Sequence, residues 1–167
     1  MKIINCYYET HGEVILEIFN DAILNTTALY EYEPRNREFI KSWFDDKKNR
    51  QHPIIGAIND HDELMGFATF GLFRPHPAFK TTIEHSVYVH QAHRGQGAAK
   101  LLLTQLIKLA DMEGYHVMIG AIDGQNIASI NLHEQLGFEK NGHLYQVGFK
   151  FNQWLDLVFY QKQLKNK

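Results

Sequence analysis

The sequence predicts an α/β fold built on a mixed, mostly antiparallel sheet flanked by helices. Three observations carry this expectation. Short apolar segments bounded by turn residues read as strands. Longer segments repeat apolar side chains at helical spacing, as in Val14, Ile15, Ile18, Phe19 and Ala22, or in Ala99, Leu102, Leu103, Leu106, Ile107 and Ala110. Their order is informative too. Strands follow one another in the first half and alternate with helices in the second, so a meander leads into strand–helix units. With 167 residues, 44% of them hydrophobic, the chain can bury the core of a single domain spanning residues 1–167.

The elements follow in order. Residues 2–7 are a short β-prone run, and 13–23 a first amphipathic helix. Asn25, Thr26, Thr27 and Ala28 end it and open a loop. Pro34 precedes a second helix over 35–48 that carries Phe39, Trp43 and Phe44. Residues 53–58 and 64–73 read as two strands around the turn Asn59-Asp60-His61-Asp62. Pro75 and Pro77 make 74–77 a loop, because proline cannot donate to a ladder. Residues 81–89 form the next strand, and a glycine turn leads into a long helix ending near Glu113. After the break at Gly114 a strand covers 116–121. Asn126 caps a helix over 127–136, which Gly137 terminates. Residues 138–147 and 155–161 close the chain as two strands.

Composition narrows the function classes. The net charge is −2, which gives no electrostatic case for nucleic acid or an anionic membrane. No run approaches the roughly 20 apolar residues of a membrane span, and no signal peptide is visible. The single cysteine, Cys6, cannot form an internal disulfide and fits a reducing, cytoplasmic compartment. In its apolar run Cys6 reads as a core residue. The ten histidines show no metal-ligand spacing; His133-Glu134 lacks the second histidine of a zincin, since Gly137 stands in its place.

The chemistry concentrates at 84–100. Val87-Tyr88-Val89 leads into Arg94-Gly95-Gln96-Gly97-Ala98-Ala99-Lys100, a strand, a tight turn and a helix start. Such a junction offers unpaired N–H groups and the positive end of a helix dipole, a place to hold a phosphate or pyrophosphate. Gly95 and Gly97 allow the backbone to approach an anion closely. A dinucleotide fingerprint would need a third glycine where Lys100 stands, with an acidic ribose ligand further on, and a Walker loop would need Gly-Lys-Ser/Thr. A connecting turn without a ligand is the plain alternative. Strand alternation puts Thr82, Glu84, Ser86 and Tyr88 on one face and Ile83, His85, Val87 and Val89 on the other. Glu84 is thus a mid-strand carboxylate upstream of the anion turn, read either as a solvent-facing residue on the open side of the sheet or as a proton acceptor for a group brought to that turn. His133 titrates near neutrality and is a second acid/base candidate, against the plain reading of a half-buried helix histidine.

Several of these pieces resemble one family. The Arg-x-x-Gly-x-Ala pattern of residues 94–99 is similar to the pyrophosphate signature of the GNAT superfamily of acyl-CoA N-acyltransferases. Nearly the whole chain resembles its phosphinothricin acetyltransferase-like group of bacterial L-amino-acid N-acyltransferases. The matching pieces are Ile18-Phe19-Asn20-Asp21, Asn25-Thr26-Thr27, Phe73-Arg74-Pro75, residues 84–89, Asn126-Ile127-Ala128-Ser129, Leu132-His133, and the two segments 146–151 and 154–157. The resemblance implies the GNAT fold and an acetyl-CoA-dependent enzyme that acetylates the α-amine of a small L-amino acid or analogue, of the phosphinothricin, methionine sulfoximine or methionine sulfone class. It implies that Val87, Tyr88 and Val89 pair with pantetheine, that residues 94–100 hold the pyrophosphate, and that Asn126 and Ser129 contact the pantetheine arm. It implies that Arg74 binds the substrate carboxylate in the loop shared with Pro75 and His76, and that Glu84, His85 and Ser86 line the amino-acid pocket. Glu84 would be the base, with an oxyanion donor near Val87 and direct transfer in a ternary complex. Many GNAT enzymes carry tyrosine where this subgroup has His133. His76 stands where close relatives carry phenylalanine, and Phe79-Lys80 replaces an aromatic–arginine pair. A homodimer is expected from the resemblance and from the aromatic residues Phe149, Phe151, Trp154, Phe159 and Tyr160. The rival readings are a non-catalytic acyl-CoA sensor and a GNAT enzyme acting on protein N-termini or polyamines. Glu84 and Arg74 speak against the first, and Arg74 against a polycationic substrate.

Overall fold

The two apolar runs after residue 53 become neighbouring central strands, β2 (Ile54–Ile58) and β3 (Leu64–Leu72), in a computed structural model that describes residues 1–165. They belong to a seven-stranded sheet with β1 (Lys2–Asn5), β4 (Thr82–Val89), β5 (Val117–Asp123), β6 (Glu139–Lys150) and β7 (Gln153–Gln163), in the order β1-β2-β3-β4-β5-β7-β6. Every pairing is antiparallel except β4 with β5. The fold is therefore the mixed, mostly antiparallel sheet expected, a meander followed by one parallel crossover.

Both faces of the sheet are covered. Helices α1 (Tyr8–Asn25) and α2 (Arg37–Asn49) place Ile15, Ile18, Phe19, Ile40 and Phe44 against Ile54, Ile58 and Phe67. On the opposite face, α3 (Ala98–Met112) packs Leu102, Leu103 and Leu106 over Ile55, Ala57, Ala68, Phe70 and Ile83. Helix α4 (Ile127–Gln135) lies on the same side and buries His133. Burial on both sides explains why β3 is buried from Leu64 through Phe70, with Thr69 its one polar residue there, rather than alternating. Cys6 is buried, and desolvation pushes its thiol up to about 12, so it stays a protonated core residue.

Several boundaries differ from those expected. Helix α1 begins at Tyr8 rather than at residue 13, because Gly12 fits under the Tyr8 ring: a Cβ there would stand 2.8 Å from Tyr8 Cδ2. Strand β1 accordingly stops at Asn5. Asn36, not Arg35, starts α2 as a cap whose side chain accepts from the Phe39 N–H at 2.8 Å. Strand β5 runs on to Asp123. Strand β6 continues past residue 147 through a bulge, and β7 starts at Gln153. The turn between them is Phe151-Asn152, both with positive φ (51° and 58°). A glycine-free turn of this kind leaves no sequence mark.

Candidate active site

The single parallel pairing creates the site. Strands β4 and β5 are in register only at Thr82–Val117, Ile83–Met118 and Glu84–Ile119. Beyond Ile119, β5 pairs only with β7, while β4 remains paired with β3 as far as Val89. The two strands therefore splay apart after Glu84, and the β5-facing backbone groups of residues 85–89 are left without a ladder partner. A cleft of about 1080 Å³ occupies this gap. It runs from Glu84 and Ser86, past Val87, Tyr88 and Val89, to the glycine turn and the first residues of α3, with Asn126, Ser129 and His133 of α4 along one side.

The turn has the backbone that its glycines predict. Gly95 (φ 76°) and Gly97 (φ 87°) are left-handed, and Gly97 is the N-cap of α3 without a side-chain cap. A Cβ on either would meet nothing within 4 Å, so both glycines border open space. Arg94, Gly97, Ala98, Ala99 and Lys100 line the cleft. The free N–H groups of the α3 start and its dipole fit a pyrophosphate. The Arg94 guanidinium pairs with Asp21 of α1, which fixes the turn against that helix and leaves the anion to the backbone. Gln96 is exposed and bonds back to the Ala92 carbonyl at 3.3 Å. Asn126 Oδ1 accepts from the Ser129 N–H at 3.1 Å, capping α4 at the cleft wall.

At the other end Glu84 is half-buried. Desolvation raises its carboxyl above the ordinary range, and the nearby Arg74 charge opposes the rise. Arg74 is exposed, stacks on Phe73 at 4.1 Å and bonds the Phe73 carbonyl at 2.7 Å. Among the described residues it has no acidic ion-pair partner. Pro75 and His76 continue its loop into the single turn Pro77–Phe79; these two and Arg74 stand exposed and outside the cleft lining. Tyr88 faces the aromatic cluster of Phe19 and Phe67, and burial pushes its hydroxyl up to about 12; its side chain is packing, and its backbone belongs to the open edge.

His85 and His133, expected to have separate tasks, come together. Their rings stack at 5.0 Å and 18°, with the two Nε2 atoms 2.9 Å apart. His133 Nδ1 lies 2.6 Å from the Ser129 carbonyl, which can only accept. That nitrogen therefore carries the proton, and His133 Nε2 accepts from His85 Nε2–H. His85 Nδ1 is then a buried lone pair without a partner among the described residues. Burial pushes His85 down to about 3 and lowers His133 as well. Both nitrogens of His133 are engaged, so it offers no free lone pair to a substrate.

Other lining residues escaped the sequence reading. Thr27, Tyr30, Asp123 and Phe151 all border the cleft. Asp123 is acidic at a strand end, but its Oδ2 accepts from Thr27 Oγ1 and its Oδ1 from the Gln125 N–H at 3.2 Å. No sequence signal marked it, because the strand was expected to end at residue 121, two residues short of Asp123.

Comparison with known proteins agrees with this geometry. Residues 16–138 match the acetyltransferase (GNAT) family. The chain is 45% identical over 150 residues to the L-methionine sulfoximine/L-methionine sulfone acetyltransferase of Pseudomonas aeruginosa, covering 90% of this chain and 87% of that one. It is 39% identical to the L-amino acid N-acyltransferase MnaT of Escherichia coli, covering 92% and 88%. Among solved structures it is similar to a phosphinothricin acetyltransferase from Sinorhizobium meliloti in complex with acetyl-CoA, with a TM-score of 0.94, 31% identity and 98% and 88% of the two chains covered. The family match and these relatives together show that the chain belongs to the acetyltransferase (GNAT) family.

Proposed function

We propose that this acetyltransferase acts on the α-amine of a small L-amino acid or analogue, of the methionine sulfoximine, methionine sulfone or phosphinothricin class. One observation carries the reading: a half-buried carboxylate, Glu84, lines the cleft within the field of Arg74, an arginine that has no acidic partner among the described residues. An α-amino acid presents an amine and a carboxylate on one carbon, so neighbouring base and cation suit it. Arg74 binds the carboxylate through its guanidinium fork, with Pro75 and His76 shaping its loop. Glu84 takes the ammonium proton, directly or through one water, and its raised pKa brings it closer to the amine it must deprotonate. Ser86 shares the Glu84 face of β4 and lines the same pocket.

Acetyl-CoA supplies the activated acyl group. Its pantetheine arm would lie along the open edge at Val87, Tyr88 and Val89, with Asn126 and Ser129 opposite, and its pyrophosphate on residues 94–100. A backbone N–H near Val87 stabilises the oxyanion. Holding both reactants in one cleft supplies much of the acceleration. His85 and His133 are assigned a supporting part beneath the pocket rather than a proton-donating one, because each Nε2 is spent on the other ring. The names of the relatives at 45% and 39% identity support the substrate class.

The test is a turnover screen of free amino acids, methionine sulfone, methionine sulfoximine and phosphinothricin, each beside its α-amide. Free acids should be acetylated far better than amides. Arg74→Ala should raise the free-acid KM roughly tenfold to a hundredfold, the worth of a charge-assisted hydrogen bond, and leave acetyl-CoA affinity unchanged. Equal turnover of acids and amides by the wild-type enzyme would overturn the carboxylate reading.

A further inference from the structure

A buried lysine of the sheet holds a wall of the cleft. Lys150, the last residue of β6, is 4% exposed. Its Nζ donates to the Thr26 carbonyl at 2.7 Å and to the Leu29 carbonyl at 2.6 Å, and lies 5.1 Å from the Phe151 ring centre. Residues 26–30 form the segment that leaves α1, and all five line the cleft, as does Phe151; Lys150 itself does not. A buried ammonium is costly unless satisfied, and here two carbonyls of one loop satisfy it. The same loop is tied elsewhere. Thr27 Oγ1 donates to the buried carboxylate of Asp123. Tyr30 OH donates to the Asp156 carbonyl at 3.0 Å, and its ring lies on Gly148, where a Cβ would come within 2.9 Å of it. The loop has no regular secondary structure of its own. Its shape therefore comes from the β6–β7 hairpin and the end of β5.

We propose that Lys150 is a positioning residue: it clamps residues 26–29 into the wall of the cleft that Glu84 and Ser86 also line, and so sets how the acyl acceptor fits. The assignment of an acceptor to that end rests on the amino-acid reading above. Lys150 acts through two backbone carbonyls, so it selects by wall position and not by contact with the acceptor.

The experiment pairs two readouts on Lys150→Met, which keeps the stem and loses the donors. Amide hydrogen exchange should quicken at residues 26–32 while α3 keeps wild-type protection. Acceptor KM should rise roughly tenfold, with the ranking among acceptors of different size altered and acetyl-CoA KM within about twofold of wild type. Thr27→Val, which releases a second tie of the same loop, should shift acceptor KM in the same direction. A general loss of stability would instead quicken exchange in α3 too and affect both substrates. Unchanged exchange at 26–32, or an unchanged acceptor KM and ranking, overturns the proposal. A wild-type enzyme inert toward every amino acid overturns the substrate reading instead, and the exchange readout then still decides the clamp.

Discussion

Glu84 and His85 are adjacent in sequence and opposite in environment, and each yields a prediction of its own sign. Glu84 works only when ionised, and burial raises its carboxyl above the ordinary value of roughly 4.3. The kcat/KM of the wild-type enzyme should therefore fall on the acid side at a higher pH than an exposed glutamate would give. Glu84→Gln should lower kcat roughly 10²–10⁴-fold at neutral pH, and the deficit should shrink as pH rises and free amine becomes abundant. A wild-type pH–rate profile in the variant would remove Glu84 as the base. His85 is pushed down to about 3 by burial, whereas the unfolded chain takes up a proton near pH 6.5. Between these values the unfolded state binds the extra proton, so stability is lost as pH falls from about 6.5 toward 3, by up to about 1.4 kcal/mol per pH unit from this residue. The slope of unfolding free energy between about pH 6 and pH 5 should be shallower by that amount in His85→Asn; an unchanged slope would show that His85 does not stay neutral on folding. Alternation alone placed Glu84 correctly, because a two-residue period needs no tertiary information. The His85–His133 pair was not legible. The two residues lie 48 apart, and the rings fit only because Gly120 of β5 carries no side chain: a Cβ there would come within 2.9 Å of His85 Nε2.

The functional element is the β4–turn–α3 unit, and its parts differ in how openly the sequence shows them. The glycine turn was readable because both of its positive-φ residues, Gly95 and Gly97, are glycine, unlike those of the Phe151-Asn152 turn. The splay between β4 and β5 was not, since it depends on where a parallel register stops, and no residue type marks that point. The Lys150 clamp was hidden for a similar reason: its partners are carbonyls at 26 and 29, which any side chain could carry. Gly97 tests the element. Replacing it with valine forces a β-branched residue to φ 87°, a strain of about 1–3 kcal/mol, and puts methyl groups where the pyrophosphate would approach. Gly97→Val should fold with a modestly lower Tm and lose acetyl-CoA binding in calorimetry. A folded variant with wild-type acetyl-CoA affinity would move the anion site elsewhere. Lys2 to Val89 needs no such test for its order, because β1 to β4 form a meander whose neighbours in space are neighbours in sequence.

At the scale of the whole molecule the sheet has one long edge that the chain itself leaves open. Strand β6 is outermost and twelve residues long, and an exposed strand of that length is a liability unless it is broken or covered. It is partly broken, by the bulge near Gln146, whose φ is 52°. It is not made polar. Leu144, Tyr145, Val147, Phe149, Phe151 and Trp154 of the β6–β7 hairpin are each 44% or more exposed, and Phe149 packs on Trp154 at 5.0 Å. The aromatic set expected to form an interface divides here. Tyr160 is buried at 3% and belongs to the core, Phe159 is half-buried against Gly142, and Phe149, Phe151 and Trp154 are exposed. Exposed apolar side chains along a strand edge favour a symmetric contact, in which the same hairpin of a second copy lies against it. We therefore expect a homodimer through this face. Light scattering at micromolar concentration should give twice the chain mass. Trp154→Asp places a charge among these exposed side chains without touching the buried ones, and it should give the mass of one chain with far less change in Tm than a core substitution would cause. Because Phe151 lines the cleft from the same hairpin, the monomeric variant should also bind the amino acid more weakly while holding acetyl-CoA as before. A wild-type chain that scatters as a monomer at tens of micromolar would mean that the exposed aromatics serve the cleft alone.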